Sequence, residues 1–393
     1  MVLTIKGLPP GSLGWPIVGQ TLQYMRASDT QQLEPFLQQG RKRYGKIFRA
    51  SLYGNWTIVS TDVDVNKFVL QNEGRLFKGY WPKSFYKLFG RYSVGMVTGD
   101  QHKLYRSLIV NYLGAGKSKM ALMIPTVEAI ALSIMQNWKH DAEINVLEMS
   151  HNYIFGVLCK KVLSLNEEDA HFFHELYKFY EAGLFAFPLE LPGTKYTRAL
   201  QARVKMVQLF KRIIKERREQ PNEKHNDMLD YFLSQNVEGI CDEVIYDNLS
   251  IMFFAGEDTT AKTLATIIKI LKDYPLIYEE VLKEQNRILA SKGDRKDLNM
   301  DDYLQMTVTQ YVISEALRTA NPSLGLFRIA LQDVWIKGGY KIPKGWKVYV
   351  SQSSANLDPN PFPNPTSFDP FRWKDSRSYN LHDINRPCSY VTT

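Results

Sequence analysis

Cysteine is scarce: the 393 residues hold three, Cys159, Cys241 and Cys388. They lie too far apart for a disulfide framework or a C-x-x-C metal site, and an odd number without a secretory signal argues for a reducing compartment. Long apolar runs are missing too. None approaches the roughly 18 residues that a membrane-spanning helix requires, and the apolar tetrad at residues 2–5 is too short for a signal peptide or an anchor. Internal repeats, low-complexity tracts and clean linkers are all absent, which argues against a repeat array or a string of modules. Neither sign of charge dominates: 49 Lys+Arg against 41 Asp+Glu leaves +8. That basicity could suit an acidic protein, an anionic membrane or a nucleic acid without selecting among them. The one concentrated run, "KRIIKERREQ" at residues 211–220, alternates with Ile and Glu and reads as a solvated helix face.

What is present is an ordinary globular balance, 44% hydrophobic and 23% charged, with material for a large core. The opening "LPPGSLGWPIVG" is extended and turning, because Pro and Gly punctuate it. "IFRASLYGNWTIVS" predicts a hairpin about Gly54-Asn55. From about residue 62 to 275 the period is helical, and residues 242–274 run without proline, a helix of roughly 50 Å. Further helices follow near 276–291 and 306–320. The character then changes to strand-turn-strand in "DVWIKGGYKIPKGWKVYVSQSS" and to a proline-rich meander in "LDPNPFPNPTSFDPFRW". The expectation is one mainly α domain with small β-sheets attached.

Two stretches carry chemistry. "FFAGEDTTAKTLA" (253–265) interrupts the long helix with Gly256, Glu257, Asp258, Thr259 and Thr260. Gly, Asp and Thr are middling to poor helix formers, and buried carboxylates and hydroxyls need partners, so a segment built for stability alone would carry Leu or Ala. At helical spacing Met252, Ala255, Gly256, Thr259, Thr263, Ile267 and Ile270 share a face that is small and mildly polar at its centre and larger at its ends. A flat cofactor or substrate can lie against Ala255 and Gly256 with the Thr259 hydroxyl beside it. The plainer alternative is local: Thr259 bonds back to a helix carbonyl and Asp258 pairs with Lys262 at i,i+4. The second stretch is "SEALR". Glu315 and Arg318 share a helix face, which alone reads as a surface ion pair worth roughly 0.3 kcal/mol, as does Glu284 with Arg287 in "EQNR". What distinguishes Glu315 is the sequel: Arg328, a hairpin, then "FDPFRW" with Arg372. A guanidinium–carboxylate cluster can tie a helix to a distant meander at fixed geometry.

In that order and spacing, "AGEDTT" (255–260), "EALR" (315–318) and "FDPFRW" (368–373) resemble the cytochrome P-450 family of haem-thiolate monooxygenases. "GYKIPKGWKVYV" (339–350) and "LPPGSLGWPIVG" (8–19) are similar to the plant clan that oxidises sterols and triterpenoids, including brassinosteroid-pathway hydroxylases. The resemblance implies the mainly α cytochrome P-450 fold over residues 1–374, with 375–393 a tail outside the family pattern. It implies a long helix passing over haem at Ala255 and Gly256. Thr259 would bond the oxygen being activated, and Asp258 would relay protons from water. Glu315, Arg318 and Arg372 match the family's structural triad. "HKLYR" makes His102 and Arg106 candidate propionate partners, and Arg328 in "FRIALQD" matches a third. The implied activity is NADPH- and O2-dependent hydroxylation of a hydrophobic sterol, steroid or triterpenoid. Electrons would come from an NADPH-dependent flavoprotein reductase at the cytosolic face of the endoplasmic reticulum membrane. No nucleic acid is implied, and without an anchor of its own the chain would be peripheral or cytoplasmic.

The pattern departs from the family near the end. The thiolate motif Phe-x-x-Gly-x-Arg-x-Cys-x-Gly, aligned on Cys388, keeps Arg386 but has Leu381 for the Phe, Ile384 for the first Gly and Tyr390 for the last. Cys388 is thus the candidate iron ligand in a motif lacking both glycines. The haem-ligand loop and the helix that should follow are expected to be missing. The alternative from another class is a catalytically inactive, truncated product of such a gene.

Overall fold

The computed structural model describes residues 7–12, 14–15, 19–25, 35–114, 117–139, 143–235, 237–320 and 325–374. They group into two compact units, one drawn from Met1–Tyr80 and Val308–Thr393, the other from Trp81–Thr307. Cys388 lies outside the described residues.

The first unit opens with helices α1 (Thr21–Met25) and α2 (Pro35–Tyr44), strands β1 (Ile47–Leu52) and β2 (Asn55–Ser60), α3 (Val63–Gln71) and β3 (Phe77–Gly79). Its turn residues are Tyr53 and Gly54, with φ of 50° and 69°, so the predicted hairpin closes one residue earlier than the sequence suggested. Leu52 pairs with Asn55 across a two-residue loop that needs positive φ at both positions.

The second unit is helical: α4 (Lys83–Phe89), α5 (Gly99–Leu113), α6 (Lys117–Met135), α7 (Val146–Leu158), α8 (Glu167–Leu184) and α9 (Lys195–Glu219) come first. Then follow α10 (Met228–Ser234), α11 (Asp242–Asp273), α12 (Pro275–Ser291) and α13 (Met300–Gln305). The chain returns to the first unit with α14 (Thr307–Ala320), β4 (Gly325–Ala330), β5 (Val334–Ile336), β6 (Tyr340–Ile342), β7 (Lys347–Ser351) and α15 (Gln352–Asn356).

One sheet therefore needs both ends of the chain. Its order is β1-β2-β7-β4-β3, with β2 and β7 parallel and the other pairs antiparallel. β7 is central and every residue in it is buried. That burial extends to Lys347, whose ammonium sits 4.0 Å from the centre of the Tyr80 ring.

In the helical unit, α11 spans 32 residues, or about 48 Å at the α-helical rise. It carries Asp242 and Glu243 in its first turn and Lys272 in its last, each at the dipole end that favours its charge. Its first half is buried among aromatic rings, with Phe253 packed edge-on at 4.6 Å from Phe173 of α8. The basic run at 211–220 is largely solvated, with one correction. Arg217 is only 8% exposed in its side chain and bridges Asp227 at 2.7 Å and Asp230 at 2.5 Å, so it fixes α9 to the start of α10.

The loop after α4 is pinned to α11. Tyr92 N–H donates to Asp247 Oδ2 at 3.0 Å and Val94 N–H to Asn248 Oδ1 at 2.9 Å. Gly90 holds a φ of 85°, and a Cβ there would collide with the Asp247 carboxylate, itself bonded to Arg203. Gly90→Ala should therefore lower unfolding free energy by more than the strain alone, about 1–2 kcal/mol. Gly54→Ala, with φ of 69° and nothing within 4 Å, should lose only the strain. Denaturant melts of the two variants check this; equal losses would remove the role given to Asp247.

Candidate functional site

In the helical unit, the centre of α11 has an open side. Ala255 and Thr260 are exposed, and Thr259, Thr263 and Ile267 are half-buried. Gly256 is turned differently: a Cβ there would lie 3.3 Å from Leu158 Cδ2 of α7, so glycine at this position permits close helix packing. Of the expected pair, Ala255 lies on the open side and Gly256 is turned toward α7. Thr259 Oγ1 donates to Ala255 O at 2.7 Å, and Thr263 and Thr266 repeat the pattern one turn apart. Asp258 Oδ1 is 2.7 Å from Lys262 Nζ. Both local bonds weighed as the plainer alternative are therefore present.

Asp258 and Lys262 line a cleft of about 280 Å³ with Phe254, with Lys178 and Glu181 of α8, and with Phe185 just after it. Burial raises the Glu181 carboxyl above its usual range, and the neighbouring charge of Asp258 adds to this. An acid at the rim of such a cleft, tied to an ammonium and within reach of solvent, can exchange protons with water.

Sequence reasoning named Glu257 within the motif but gave it no partner, and it missed His151. Glu257 is 3% exposed. His151 Nδ1, on α7, lies 2.6 Å from Glu257 Oε1. Burial raises the Glu257 carboxyl, and the bond from His151 only partly opposes it. The available signal was a carboxylate on the face of α11 opposite Thr259, which a helix in a core cannot leave unpartnered.

His102 and Arg106 sit one turn apart on α5. His102 Nδ1 is 2.9 Å from Val94 O, which orients the ring, and Arg106 is exposed. Arg328, on β4 of the first unit, is 9% exposed. Its Nη2 donates to Glu73 Oε2 at 2.9 Å and its Nη1 to Phe327 O at 3.1 Å, while its Nε is buried with no hydrogen-bond partner among the described residues.

The Glu315 cluster is fully assembled within the first unit. Arg318 donates twice, Nε to Oε2 at 2.9 Å and Nη2 to Oε1 at 2.7 Å. Arg372 Nε reaches Oε1 at 3.0 Å, Trp373 Nε1 reaches Oε2 at 3.0 Å, and Asp369 N–H reaches Oε1 at 3.1 Å. Arg318 Nη1 also donates to the carbonyls of Asn356 and Pro365. Burial pushes the Glu315 carboxyl upward, but the bonds from Arg318 and Asp369 outweigh it and hold it below the usual range. Glu284, first read as one half of a surface pair, is instead 5% exposed, because α12 turns that face inward. Among the described residues no group of His, Cys, Asp and Glu could hold a metal ion, and no helix is long and apolar enough to cross a membrane.

Comparison with known proteins finds similarity over nearly the whole chain. The family model described as Cytochrome P450 matches residues 9–391. "Cytochrome P450 720B2" of Pinus taeda is 35% identical over 372 residues, 93% of this chain and 76% of that protein. A "Steroid (22S)-hydroxylase" of Oryza sativa subsp. japonica is 34% identical over 380 residues, 94% of this chain and 74% of that protein. Among solved structures, a retinoic acid-bound cyanobacterial CYP120A1 superposes with a TM-score of 0.84 at 25% identity, covering 97% of this chain and 85% of that one.

Removing one partner from a buried charge cluster strands the others, at roughly 3–5 kcal/mol. Glu315→Ala should lose that much unfolding free energy or fail to accumulate as soluble protein. Glu175→Ala, at the same i,i+3 spacing to Lys178 but with a side chain 51% exposed, serves as the control and should change stability by less than about 0.5 kcal/mol. Normal melting of Glu315→Ala would count against the cluster's structural role.

Proposed function

The chain belongs to the cytochrome P450 family, whose members are haem-thiolate monooxygenases that use a reductase and a hydrophobic substrate, and we propose that this one hydroxylates a sterol, steroid or triterpenoid. The observation that carries the substrate class is its similarity to plant steroid hydroxylases across nearly its whole length. The alternative of a catalytically inactive product draws no support from these comparisons.

The residues present fit haem, the cofactor that the family implies. Within the helical unit, the open stripe at Ala255 and Thr259 suits a flat apolar ring, and His102 and Arg106 suit carboxylates. In the first unit, Arg328 Nε is buried with no acceptor among the described residues, a donor that a carboxylate would satisfy. Cys388 is the proposed thiolate. Cys159 is buried in the helical core with its thiol pushed up to about 12, and Cys241 is the exposed residue capping α11. The family match includes residue 388.

When bound, haem supplies dioxygen activation and transfer of one oxygen atom to carbon. The chain's own part is to hold and move protons. Asp258 accepts protons from cleft water on its carboxylate and, by exchanging its bond to Lys262, passes them toward Thr259. The Thr259 hydroxyl trades its bond to Ala255 O for one to the reacting oxygen. The net charge of +8 suits docking to an acidic reductase face. A peripheral place on the cytosolic side of the endoplasmic reticulum membrane accords with that partner.

Three measurements test this. The reduced chain under carbon monoxide should show the red-shifted Soret band of a thiolate complex, and Cys388→Ala should abolish it. A band that survives the substitution would move the ligand elsewhere. Supplied with reductase, NADPH and a sterol, the chain should yield a product heavier by one oxygen. Thr259→Ala should bind the sterol unchanged but divert most reducing equivalents to peroxide, a loss of about tenfold or more in coupling. Unchanged coupling would sink the role given to Thr259. Oxidation of other lipids with none of sterols or triterpenoids would sink the substrate class.

A further inference from the structure

Glu257 is a residue that stability alone does not explain. Its Oε1 is bonded to His151, but its Oε2 is buried with no hydrogen-bond partner among the described residues. Such a carboxylate costs free energy that a glutamine or an apolar side chain of similar shape would avoid. It nonetheless stands at the centre of α11, directly before Asp258 and Thr259. Its partner is not sealed in: the His151 side chain remains 25% exposed, so protons reach the imidazole from water. Close packing of α7 on α11 at Gly256 and Leu158 fixes the span across which the two side chains meet.

Charges facing this pair come from α8 and from α11 itself. α8 contributes Glu181 and Tyr177, and α11 contributes Asp258, with Lys262 acting on Glu181. Burial is the largest influence on Glu257 and raises it. His151 opposes, and Glu181 and Asp258 add to the rise. The Tyr177 hydroxyl donates to Phe253 O at 3.3 Å and is itself pushed well above its usual range, so it stays neutral.

We propose that His151 and Glu257 form a solvent-linked proton store that sets the charge beside Asp258, making both of them positioning residues for the oxygen-activating turn. The proton balance is simple. Water delivers a proton to the imidazole, the Nδ1 proton passes to Glu257 Oε1, and a neutral imidazole faces a neutral carboxylic acid. With the pair negative, its charge adds to those of Glu181 and Asp258 around the turn; once the pair takes up a proton, that repulsion is relieved. The idea rests on the role given to Asp258 and Thr259 above, but its first tests do not.

Wild type, Glu257→Gln and His151→Gln of the full chain are melted between about pH 5 and pH 8. A carboxyl raised in the folded state contributes most below its unfolded range and loses that contribution as pH rises through the raised value. Glu257→Gln should therefore gain in Tm over wild type as pH rises; a difference flat with pH overturns the proposal. Infrared difference spectra should show a buried carboxylic acid band in wild type that is missing from Glu257→Gln. In His151→Gln the band should appear at higher pH, because the group opposing burial is gone, and its proton should exchange with D2O more slowly. Absence of the band in wild type, or unchanged exchange in His151→Gln, overturns the proposal even if Glu257→Gln fails to fold. In turnover, Glu257→Gln should move the pH profile of coupling toward lower pH by about one pH unit, an effect that loss of packing alone would not produce. If Thr259→Ala leaves coupling intact while the melts and spectra behave as described, the failure belongs to the role of the turn and not to the store.

Discussion

The first unit depends on one carboxylate removed from water. Glu315 is 0% exposed and accepts five hydrogen bonds, from Arg318 twice and from Arg372, Trp373 and the Asp369 N–H. A buried charge is tolerable only when its lone pairs are met this completely. The donors come from α14 and from the proline-rich segment that follows α15, which has little regular structure of its own. Arg318 also donates to three carbonyls, that of Asn356 at the end of α15 and those of Pro365 and Ser367 in that segment. The meander is thus held by charge-assisted bonds where a helix or strand would use its ladder. Without Glu315 the guanidinium groups would repel each other with nothing between them.

The centre of α11 follows the opposite logic. Its threonines satisfy themselves on carbonyls one turn back, and Asp258 is satisfied by Lys262. None of these groups is locked into a distant network, so each can exchange its local bond for a substrate, a water or a proton at small cost. Glu257 is the exception, tied across to α7 and left with one oxygen unmet among the described residues. Rigidity at Glu315 and exchangeability at Thr259 are what a structural cluster and the proposed reactive turn respectively require, and the difference lies in how far away their partners are.

The helical period, the proline-free span of α11, the hairpin and the spacing of Glu315 to Arg318 were all legible in the sequence. Each depends on residues within a turn or two of one another, where propensity and periodicity act directly. The bonds of Thr259 and Asp258 were legible as the plainer of two readings for the same reason. Tertiary structure alone decided which charges are buried. Glu284 and Glu315 head the same i,i+3 pattern, yet what packs over each face put both inside, and only for Glu315 did the sequence hold a hint, in Arg372. Arg328 meets Glu73 across 255 residues and His151 meets Glu257 across 106, separations at which no local period carries information. The sequence by itself determined which segments are helix or strand and which motif residues share a face. The fold decided where each face points and which distant side chain meets it, because burial is a property of neighbours that only the closed chain supplies.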